Sequence, residues 1–581
     1  MVVTPAKKPD LERLSFAEAT VPAIENWAAM LPLVNTEETA RQLKQAINEL
    51  RKLICPPELR FQLLESLRPL VHYICSRLDR TELVDPKLDA RRLQRKLANG
   101  YETVLRQAEE ILEQDEKGVP KDILPSAAHR LLSELSYLAL RVYQTYSALP
   151  RGYWSLVHRV YLMAEQRNVT EFKLQDTEIA AAQTLTIKDA YLRNLMLATC
   201  KPNQLKQTDL ANIFNALQMW TAHVSIEADP ADGFFSLDLN SNKAPAYTAP
   251  KAKAKEPRGF RTQVLAYEID AYLNDVSSSV PIPDNLSNDL LRHVAAAWSV
   301  VHPRNFRRLP MAGSVKVCVG LRAVHYFLSG GVDFNDQVAN ADIFLHREIN
   351  PFLDVDYAPL GNNPDDNNDD PWSQAHDLKV KIPENPNVEN PDSIIARLEN
   401  PHPTRKFNHF DLSTVDTSPG GYCVTWGENA PSNIQVGELI ALREEHANRW
   451  CVAAIRWLTK DKEHTHMGVQ LLSPKAIPVA IRPIHKKGGT TGYSRGLLLP
   501  GMDAIGQSAT IITPKLPFTE QQKVSIQRQG VQSTGMLMDA QVITESFNQF
   551  TFRMLDGYLE NSPSGSNIDD LMTREDTTQG P

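Results

Sequence analysis

Two short segments of the 581-residue chain carry side chains that are suited to holding an anionic ligand. The first contains Arg304, Arg307 and Arg308, and it comes directly before the apolar run SVKVCVGL. A guanidinium group offers a planar fork of N–H donors, which matches phosphate oxygens in bidentate geometry. The spacing of four residues puts Arg304 and Arg308 on one side of a helical turn. This segment therefore indicates anion recognition.

The second segment is a polar turn that leads into the apolar run YCVTW, and it contains Asp416, Ser418, Gly420 and Gly421. The carboxylate of Asp416 can accept hydrogen bonds, the hydroxyl of Ser418 can add another, and the two glycines allow a close backbone approach. The same residue types also build Asx-type turns without any ligand. The residues alone leave both interpretations open, ligand binding and turn formation.

Other polar motifs give weaker evidence of a functional site. His464 and His466 alternate along a strand, but no third metal ligand is placed with them and the HExxH pattern is absent. The acidic run at residues 365–370 lacks the spacing of a calcium loop, and residues 486–489 lack the phosphate-loop pattern GxxxxGK[ST]. We therefore expect no metal and no cofactor. We also expect no enzymatic activity, because a hydrolase site in the β-rich region has no catalytic constellation to support it.

The composition limits the class of protein. Lysine and arginine number 62 against 70 aspartates and glutamates, which gives a net charge of −8. This charge argues against non-specific binding to nucleic acid. The six cysteines include no CxxC, the N-terminus has no signal-peptide pattern, and no uncharged apolar stretch reaches about 18 residues. We predict a cytoplasmic protein with no nucleic-acid partner and no membrane insertion.

The first part of the chain, residues 1–225, has the apolar periodicity of helices. Leu43, Ile47, Leu50 and Ile54 recur at spacings of 4, 3 and 4, which places them on one helix face. The same period returns in three later segments that proline-containing breaks separate. The pattern predicts a helical interaction domain, built either as a bundle or as an irregular helix-hairpin array.

Two connecting segments follow the helices. Residues 226–259 are predicted to form a hairpin, with its turn at residues 240–242, and then a solvated linker rich in Lys, Ala and Pro. The linker from Thr248 to Gly259 contains no large apolar side chain, so we expect it to bury no core. Residues 260–303 return to a helical pattern and are predicted to be a helical connector.

From residue 304 onward, short β-branched or aromatic runs alternate with turn residues. We predict an antiparallel β-barrel over residues 304–485 that includes the strands SVKVCVGLRAVHYFL and AIPVAIRP, interrupted by a polar insertion at residues 343–400. A second small β domain is predicted at 495–560, and the tail at 561–581 is disordered by composition. The expected fold class is α+β and multidomain.

The two polar segments have the forms RxxxR, with Arg304 and Arg308, and DxSxxG, with Asp416, Ser418 and Gly421. The two motifs occur in this order, and each lies next to a predicted strand. This arrangement resembles that of the PilZ domain, a bacterial receptor domain for cyclic di-GMP. The run AAIRWLTKDKEHTHMGVQLL is similar to the last PilZ strands, so the resemblance covers about residues 300–485. One departure is the separation of the motifs, which is much longer than the few tens of residues usual in the family.

The resemblance implies a cyclic di-GMP effector that is not an enzyme. In such a protein, guanidinium groups bind guanine edges and phosphates, and the turn accepts guanine N–H groups. It also implies that nucleotide binding is coupled to an unidentified protein partner through the helical domain. An alternative is a PilZ-like scaffold or adaptor that no longer binds nucleotide. The residues expected to contact cyclic di-GMP are Arg304, Arg307, Arg308, Asp416, Ser418, Gly420 and Gly421.

Overall fold

A computed structural model describes residues 9–80, 85, 88–114, 118–178, 185–248, 254–301, 308–342, 407–427, 430–431, 434–445, 447–461, 464–485, 491–501, 508–528, 531–544 and 546–555. The chain divides into two compact units, residues 1–305 with 459–462 and residues 306–458 with 463–581. The first unit carries helices and a small sheet, and the second carries two β-barrels. The α+β multidomain class predicted from the sequence is therefore confirmed.

Helices dominate the first unit as far as residue 220, as the apolar periodicity predicted. In chain order they are α1 (Val21–Ala29), α2 (Thr36–Lys52), α3 (Pro57–Leu78), α4 (Ala90–Gln114), α5 (Ile123–Gln144), α6 (Tyr153–Gln166), α7 (Ile187–Thr199) and α8 (Gln207–Trp220). Polar side chains fix several of the helix starts. Thr186 and Asp189, for example, form a reciprocal capping box at the start of α7. Within the described ranges, none of the helices combines the length and apolar character that a membrane span requires.

The apolar faces of these helices pack into one continuous core. Leu43, Ile47 and Leu50 of α2 are fully buried, as their spacing predicted. The prediction was wrong for Ile54, which is 59% exposed because α2 ends at Lys52 and Leu53 is already extended. The carbonyl of Lys52 accepts from the N–H groups of Asp10 and Leu11, and Pro56 has no N–H that could bond this carbonyl in a continued helix, so the helix ends there.

A cluster of buried charges lies inside this helical core. Arg68 is 2% exposed and donates to Glu134 at 2.6 Å and to the two carboxylate oxygens of Asp176 at 2.5 and 2.9 Å. His72 Nε2 lies 3.1 Å from both carboxylate oxygens of Glu134. Buried charges persist in proteins when they are paired in this way. The cluster therefore joins α3 and α5 to the segment that precedes α7.

A four-stranded antiparallel sheet and two helices complete the first unit. The strand order is β1-β4-β2-β3, and the elements are β1 (Ser225–Glu227), β2 (Phe235–Asp238), β3 (Ala246–Tyr247), β4 (Pro257–Arg261), α9 (Gln263–Leu273) and α10 (Asn288–Ser299). β2 and β3 form the predicted hairpin, with Phe235 opposite Tyr247. The end of the predicted linker is corrected, because residues 257–259 pair with β2 and the buried Phe260 anchors β4.

The second unit begins with a closed antiparallel barrel, which confirms the barrel predicted from the short apolar runs. The strand order around it is β10-β7-β6-β5-β8-β9. Two of these strands, β6 and β7, flank the DxSxxG turn, and β5 begins immediately after Arg308. The strands are β5 (Leu309–Val319), β6 (Phe410–Ser418), β7 (Gly421–Trp426), β8 (Leu439–Glu444), β9 (Cys451–Lys460) and β10 (Thr465–Ser473).

The predicted strand SVKVCVGLRAVHYFL is wrong in its second half. β5 ends at Val319, and α11 (Leu321–Leu328) begins after Gly320, whose φ of +88° suits glycine. A short apolar run fits a buried strand and a buried helix turn equally well, so its pattern could not separate them. In α11 the residues Ala323 and Val324 are buried, and α12 (Phe334–Asp342) follows.

The second barrel is also closed and antiparallel, with the order β11-β12-β13-β16-β15-β14. Its strands are β11 (Ile477–Pro483), β12 (Ser494–Leu499), β13 (Thr510–Thr513), β14 (Lys523–Arg528), β15 (Val531–Ile543) and β16 (Asn548–Met554). β11 is the run AIPVAIRP, which the sequence analysis had placed in the first barrel. It belongs to the second because it pairs with β12 and β14, and because Ile477 and Ile481 lie in the second barrel's core.

The two barrels share an apolar cluster at their junction. Cys318 and Leu439 of the first barrel lie in the same buried cluster as Leu497 and Phe547, which come from the second barrel and its β15–β16 connection. His325 of α11 adds a polar contact, with Nε2 3.2 Å from the carbonyl oxygen of Val479. The predicted insertion at 343–400 and the predicted tail at 561–581 lie outside the described residues.

Candidate functional site

The candidate site lies where β5 and β6 pair in the first barrel. Leu309 is opposite Thr417, and Pro310 is opposite Asp416. This antiparallel register places the residue that precedes β5, Arg308, beside the segment that carries the DxSxxG turn. The long stretch of chain between the two motifs therefore does not keep them apart.

Arg308 and Asp416 are in direct contact. Nη1 of Arg308 donates to Oδ1 of Asp416 over 2.8 Å, and the two side chains are 33% and 24% exposed. An incoming ligand can therefore reach both groups. Burial raises the pKa of the neighbouring Cys423 thiol, and the Asp416 charge raises it further while Arg308 opposes the change. The arginine thus interacts with both strands of the β6–β7 hairpin.

Strand pairing places two rows of residues on the same outer face of this barrel. Residues directly opposite each other share a face, and so do residues two positions apart on one strand. The alternate positions form the inner face. There Val424 and Met467 are directly opposite each other and are 1% and 0% exposed. The outer rows are Asp416, Cys423 and Gly468, and then Ser418, Gly421 and Gln470.

The glycine pair holds the turn against β10. Gly421 has a φ of +154°, and a Cβ atom at this position would lie 1.9 Å from the carbonyl oxygen of Val469. The carbonyl of Gly420 accepts from Leu471 N–H at 3.0 Å, and Ser418 Oγ donates to the carbonyl of Gly421 at 3.4 Å. The close backbone approach expected of the glycines is therefore made to β10, and Ser418 has the local contact of a turn residue.

The sequence analysis missed two side chains on this outer face. Arg456 of β9 donates from Nε to Oε1 of Gln470 at 2.6 Å, and both residues are exposed. The indole of Trp457 covers Gly468, where a Cβ atom would lie 1.8 Å from Nε1. These residues belong to neither short motif. A test of which residues of the late strands alternate outward could have pointed to Arg456.

The structure describes only some of the residues that the sequence pointed to. Arg304 and Arg307 lie outside the described residues, so the structure brings together Arg308, Asp416, Ser418 and the glycines. His466 Nδ1 lies 3.0 Å from Thr425 Oγ1. No group of three or more His, Cys, Asp and Glu side chains that could hold a metal occurs in the described part of the chain. The acidic run at 365–370 and the segment 486–489 are outside it.

Comparisons with known proteins match the three parts of the chain separately. Residues 22–231 match the family described as Cyclic-di-GMP receptor FimW, N-terminal domain. Residues 234–478 match its middle PilZ domain, and residues 479–555 match the FimW C-terminal beta-barrel domain. The last match begins within β11, in agreement with the strand's place in the second barrel.

A curated relative matches nearly the whole chain. It is the Cyclic-di-GMP receptor FimW of Pseudomonas aeruginosa, with 30% identity over 589 aligned residues, which cover 96% of this chain and 94% of the relative. No solved structure gives a significant match. The PilZ resemblance drawn from RxxxR and DxSxxG is therefore confirmed. The chain belongs to the FimW family of proteins, with a PilZ domain in the middle of the chain.

Proposed function

We propose that this chain binds cyclic di-GMP on the outer face of its first barrel and acts as an effector. The observation that carries the proposal is the contact between Arg308 and Asp416, since it unites the two motifs at one partly exposed place. The relative, a cyclic-di-GMP receptor, supports the same ligand for this chain. In this proposal the ligand contacts are Arg308, Asp416 and Ser418, together with Arg304 and Arg307.

The energetics favour exchange of the ion pair for ligand contacts. A partly exposed ion pair contributes only about 0–1 kcal/mol, because solvent screens it. A bidentate contact of an arginine with a guanine edge contributes about 1–3 kcal/mol. Arg308 can therefore leave Asp416 with a net gain when the nucleotide arrives. Asp416, once released, is free to accept guanine N–H groups, which are donors on the Watson–Crick edge.

The effector part of the proposal concerns the helical N-terminal domain. A ligand shifts a protein between two states only by its differential affinity for them. Ordering the arginine segment against the nucleotide supplies such a difference, because Arg304 and Arg307 would gain contacts in the bound state alone. We propose that this change alters a surface of the helical domain that binds a protein partner in the cytoplasm, and that the chain performs no catalysis.

Fluorescence anisotropy with labelled cyclic di-GMP tests this proposal. The expected result is saturable binding that unlabelled cyclic di-GMP reverses and that GTP at the same concentration does not. GTP is a suitable competitor because it carries a guanine and phosphate groups without the cyclic dinucleotide shape. Absence of saturable binding would favour the alternative, a PilZ-like scaffold without a nucleotide ligand.

A further inference from the structure

We propose that Arg456 is a further contact residue for cyclic di-GMP and that Gln470 positions it. The inference rests on the proposed function and adds to it a second cationic element, from a strand that neither short motif includes. Arg456 lies on β9, whereas the RxxxR segment precedes β5 and the DxSxxG turn joins β6 to β7. The ligand would then contact Arg308 beside β6 and the guanidinium of Arg456 beside β10.

Strand register carries the argument for its location. Gln470 is directly opposite Gly421, the last residue of the DxSxxG turn, and Gly421 is opposite Ser418. Ser418, Gly421 and Gln470 therefore form one continuous row across three strands. Arg456 is hydrogen-bonded to the side chain of Gln470, at the end of that row.

The hydrogen bond leaves the recognition end of Arg456 available. Nε donates to Gln470 at 2.6 Å, and among the residues that the structure describes the terminal nitrogens have no further hydrogen-bond or ion-pair partner. A guanidinium group has five N–H donors, four of them on these terminal nitrogens. Because Arg456 is exposed, the free fork can reach a phosphate or a base edge without the removal of a protein contact.

The spacing fits a ligand that has two phosphates and two guanines. β9 lies on the far side of the six-stranded barrel from β6, but the guanidinium of Arg456 reaches Gln470 on β10, which is two strands from β6, or about 10 Å at a strand spacing of about 4.8 Å. Arg308 contacts Asp416 on β6, and Arg456 contacts Gln470 on β10. Two arginines at about this separation can each contact one half of a cyclic dinucleotide.

Titration of the full-length protein with cyclic di-GMP tests the inference. Arg456→Ala should weaken binding about tenfold, which is typical of the loss of a charge-assisted contact. Arg456→Lys should recover only part of the loss, because the ammonium group lacks the planar fork. The matched control is Arg449→Ala, which removes another exposed arginine of the same barrel and should bind as wild type does.

Gln470 needs a separate measurement because its role is indirect. Gln470→Ala should weaken binding in the wild-type background and have no further effect once Arg456 is alanine. Gln470→Glu keeps an acceptor at the same place and should restore binding. A merely structural glutamine would instead weaken binding equally in both backgrounds.

Two results would overturn the inference, and they are distinguishable. If Arg456→Ala and Arg456→Lys both bind as tightly as wild type while Arg308→Ala binds weakly, Arg456 is only a cross-strand partner of Gln470 and the proposed function stands. If wild type itself fails to bind cyclic di-GMP, the proposed function fails and the role of Arg456 fails with it. Unchanged melting temperatures of the variants exclude misfolding as the cause of a loss.

Discussion

Arg308 and Asp416 are 108 residues apart in the sequence and are joined by a 2.8 Å contact between Nη1 and Oδ1. The antiparallel register of β5 and β6 produces this contact, since Pro310 is directly opposite Asp416. Insertion of a long segment between the two strands does not disturb the pairing, in keeping with the slow growth of loop-closure entropy with loop length. The two sequence motifs are thus one structural feature.

Arg308→Ala should weaken binding of cyclic di-GMP by about 1–3 kcal/mol, because a bidentate contact to the ligand is lost. Arg304→Ala should have an effect of the same size. Isothermal titration of each purified variant measures the change. Arg553→Ala, which removes an exposed arginine of the second barrel, is the control and should leave the affinity unchanged. Equal affinities for Arg308→Ala and the control would refute the assignment.

Gly421→Ala should destabilise the first barrel by about 1–3 kcal/mol, the usual cost of forcing an atom into packed space. The added Cβ would lie 1.9 Å from the carbonyl oxygen of Val469, so β7 and β10 would have to separate. Gly427→Ala is the matched control, because no atom lies within 4 Å of a Cβ there. Thermal unfolding of both variants decides the point. Similar melting temperatures would show that the turn does not need glycine.

Stability of the helical unit should decline in acid. Burial by itself would raise the pKa of Glu134, but His72 and Arg68 lower it to about 2. Burial and the charge of Arg130 lower the pKa of His129 to about 3. Both pKa values are below those of the unfolded chain, so the unfolded state binds more protons as the pH falls. The stabilisation from these two groups is complete above about pH 6.5. It is lost progressively as the pH falls towards 3, where His129 gains its proton, and then towards 2, where Glu134 does.

Urea unfolding followed by far-ultraviolet circular dichroism at several pH values tests this pH dependence. Glu134→Gln should cost about 3–5 kcal/mol at neutral pH, since it leaves the buried Arg68 short of a charge partner, and it should flatten the pH dependence below about 4.5. Glu110→Gln, at an exposed residue whose nearest cation is 3.8 Å away, should change stability by less than about 1 kcal/mol. A pH profile of Glu134→Gln identical to that of wild type would contradict the pKa assignment.

Patterns that extend over many residues were predictable from the sequence. The helix faces follow from apolar spacing, but the end of α2 was misplaced, because Leu53 is extended and the N–H of Ile54 donates to the carbonyl of Leu11. Short runs were less informative: LRAVHYFL is long enough for a strand or for two helical turns, and it forms α11. The run AIPVAIRP was recognised as a strand, but its partners depend on tertiary pairing, which a single sequence does not encode locally.

The candidate site was predictable only where its residues are contiguous in sequence. Arg308 and Asp416 were found through two motifs, and their contact follows once β5 and β6 are paired. Arg456 and Gln470 were missed because their place beside the turn depends on the register of β10 with β7. The roles of Arg304, Arg307 and the other ligand residues remain predictions, as do the sequence-based domain boundaries that the structure does not correct.

Ligand binding should alter amide exchange beyond the barrel. If the arginine segment transmits binding to the helical domain, cyclic di-GMP will slow exchange around Arg304 and change it in residues 288–301, which include α10. A typical coupling free energy would be about 1–3 kcal/mol. Hydrogen-exchange mass spectrometry with and without the nucleotide measures this. Protection limited to Asp416–Gly421 would mean that the chain binds the nucleotide without transmitting the change.

The central claim, that Arg308 and Asp416 mark a cyclic di-GMP site, is tested most directly by isothermal titration calorimetry of the wild-type chain with cyclic di-GMP. We predict a saturable heat of binding with a dissociation constant in the micromolar range or below, which corresponds to about −8 kcal/mol or more favourable. A titration without heat at two temperatures, together with an unchanged melting temperature at ligand concentrations well above micromolar, would contradict the claim and leave the chain a PilZ-domain scaffold.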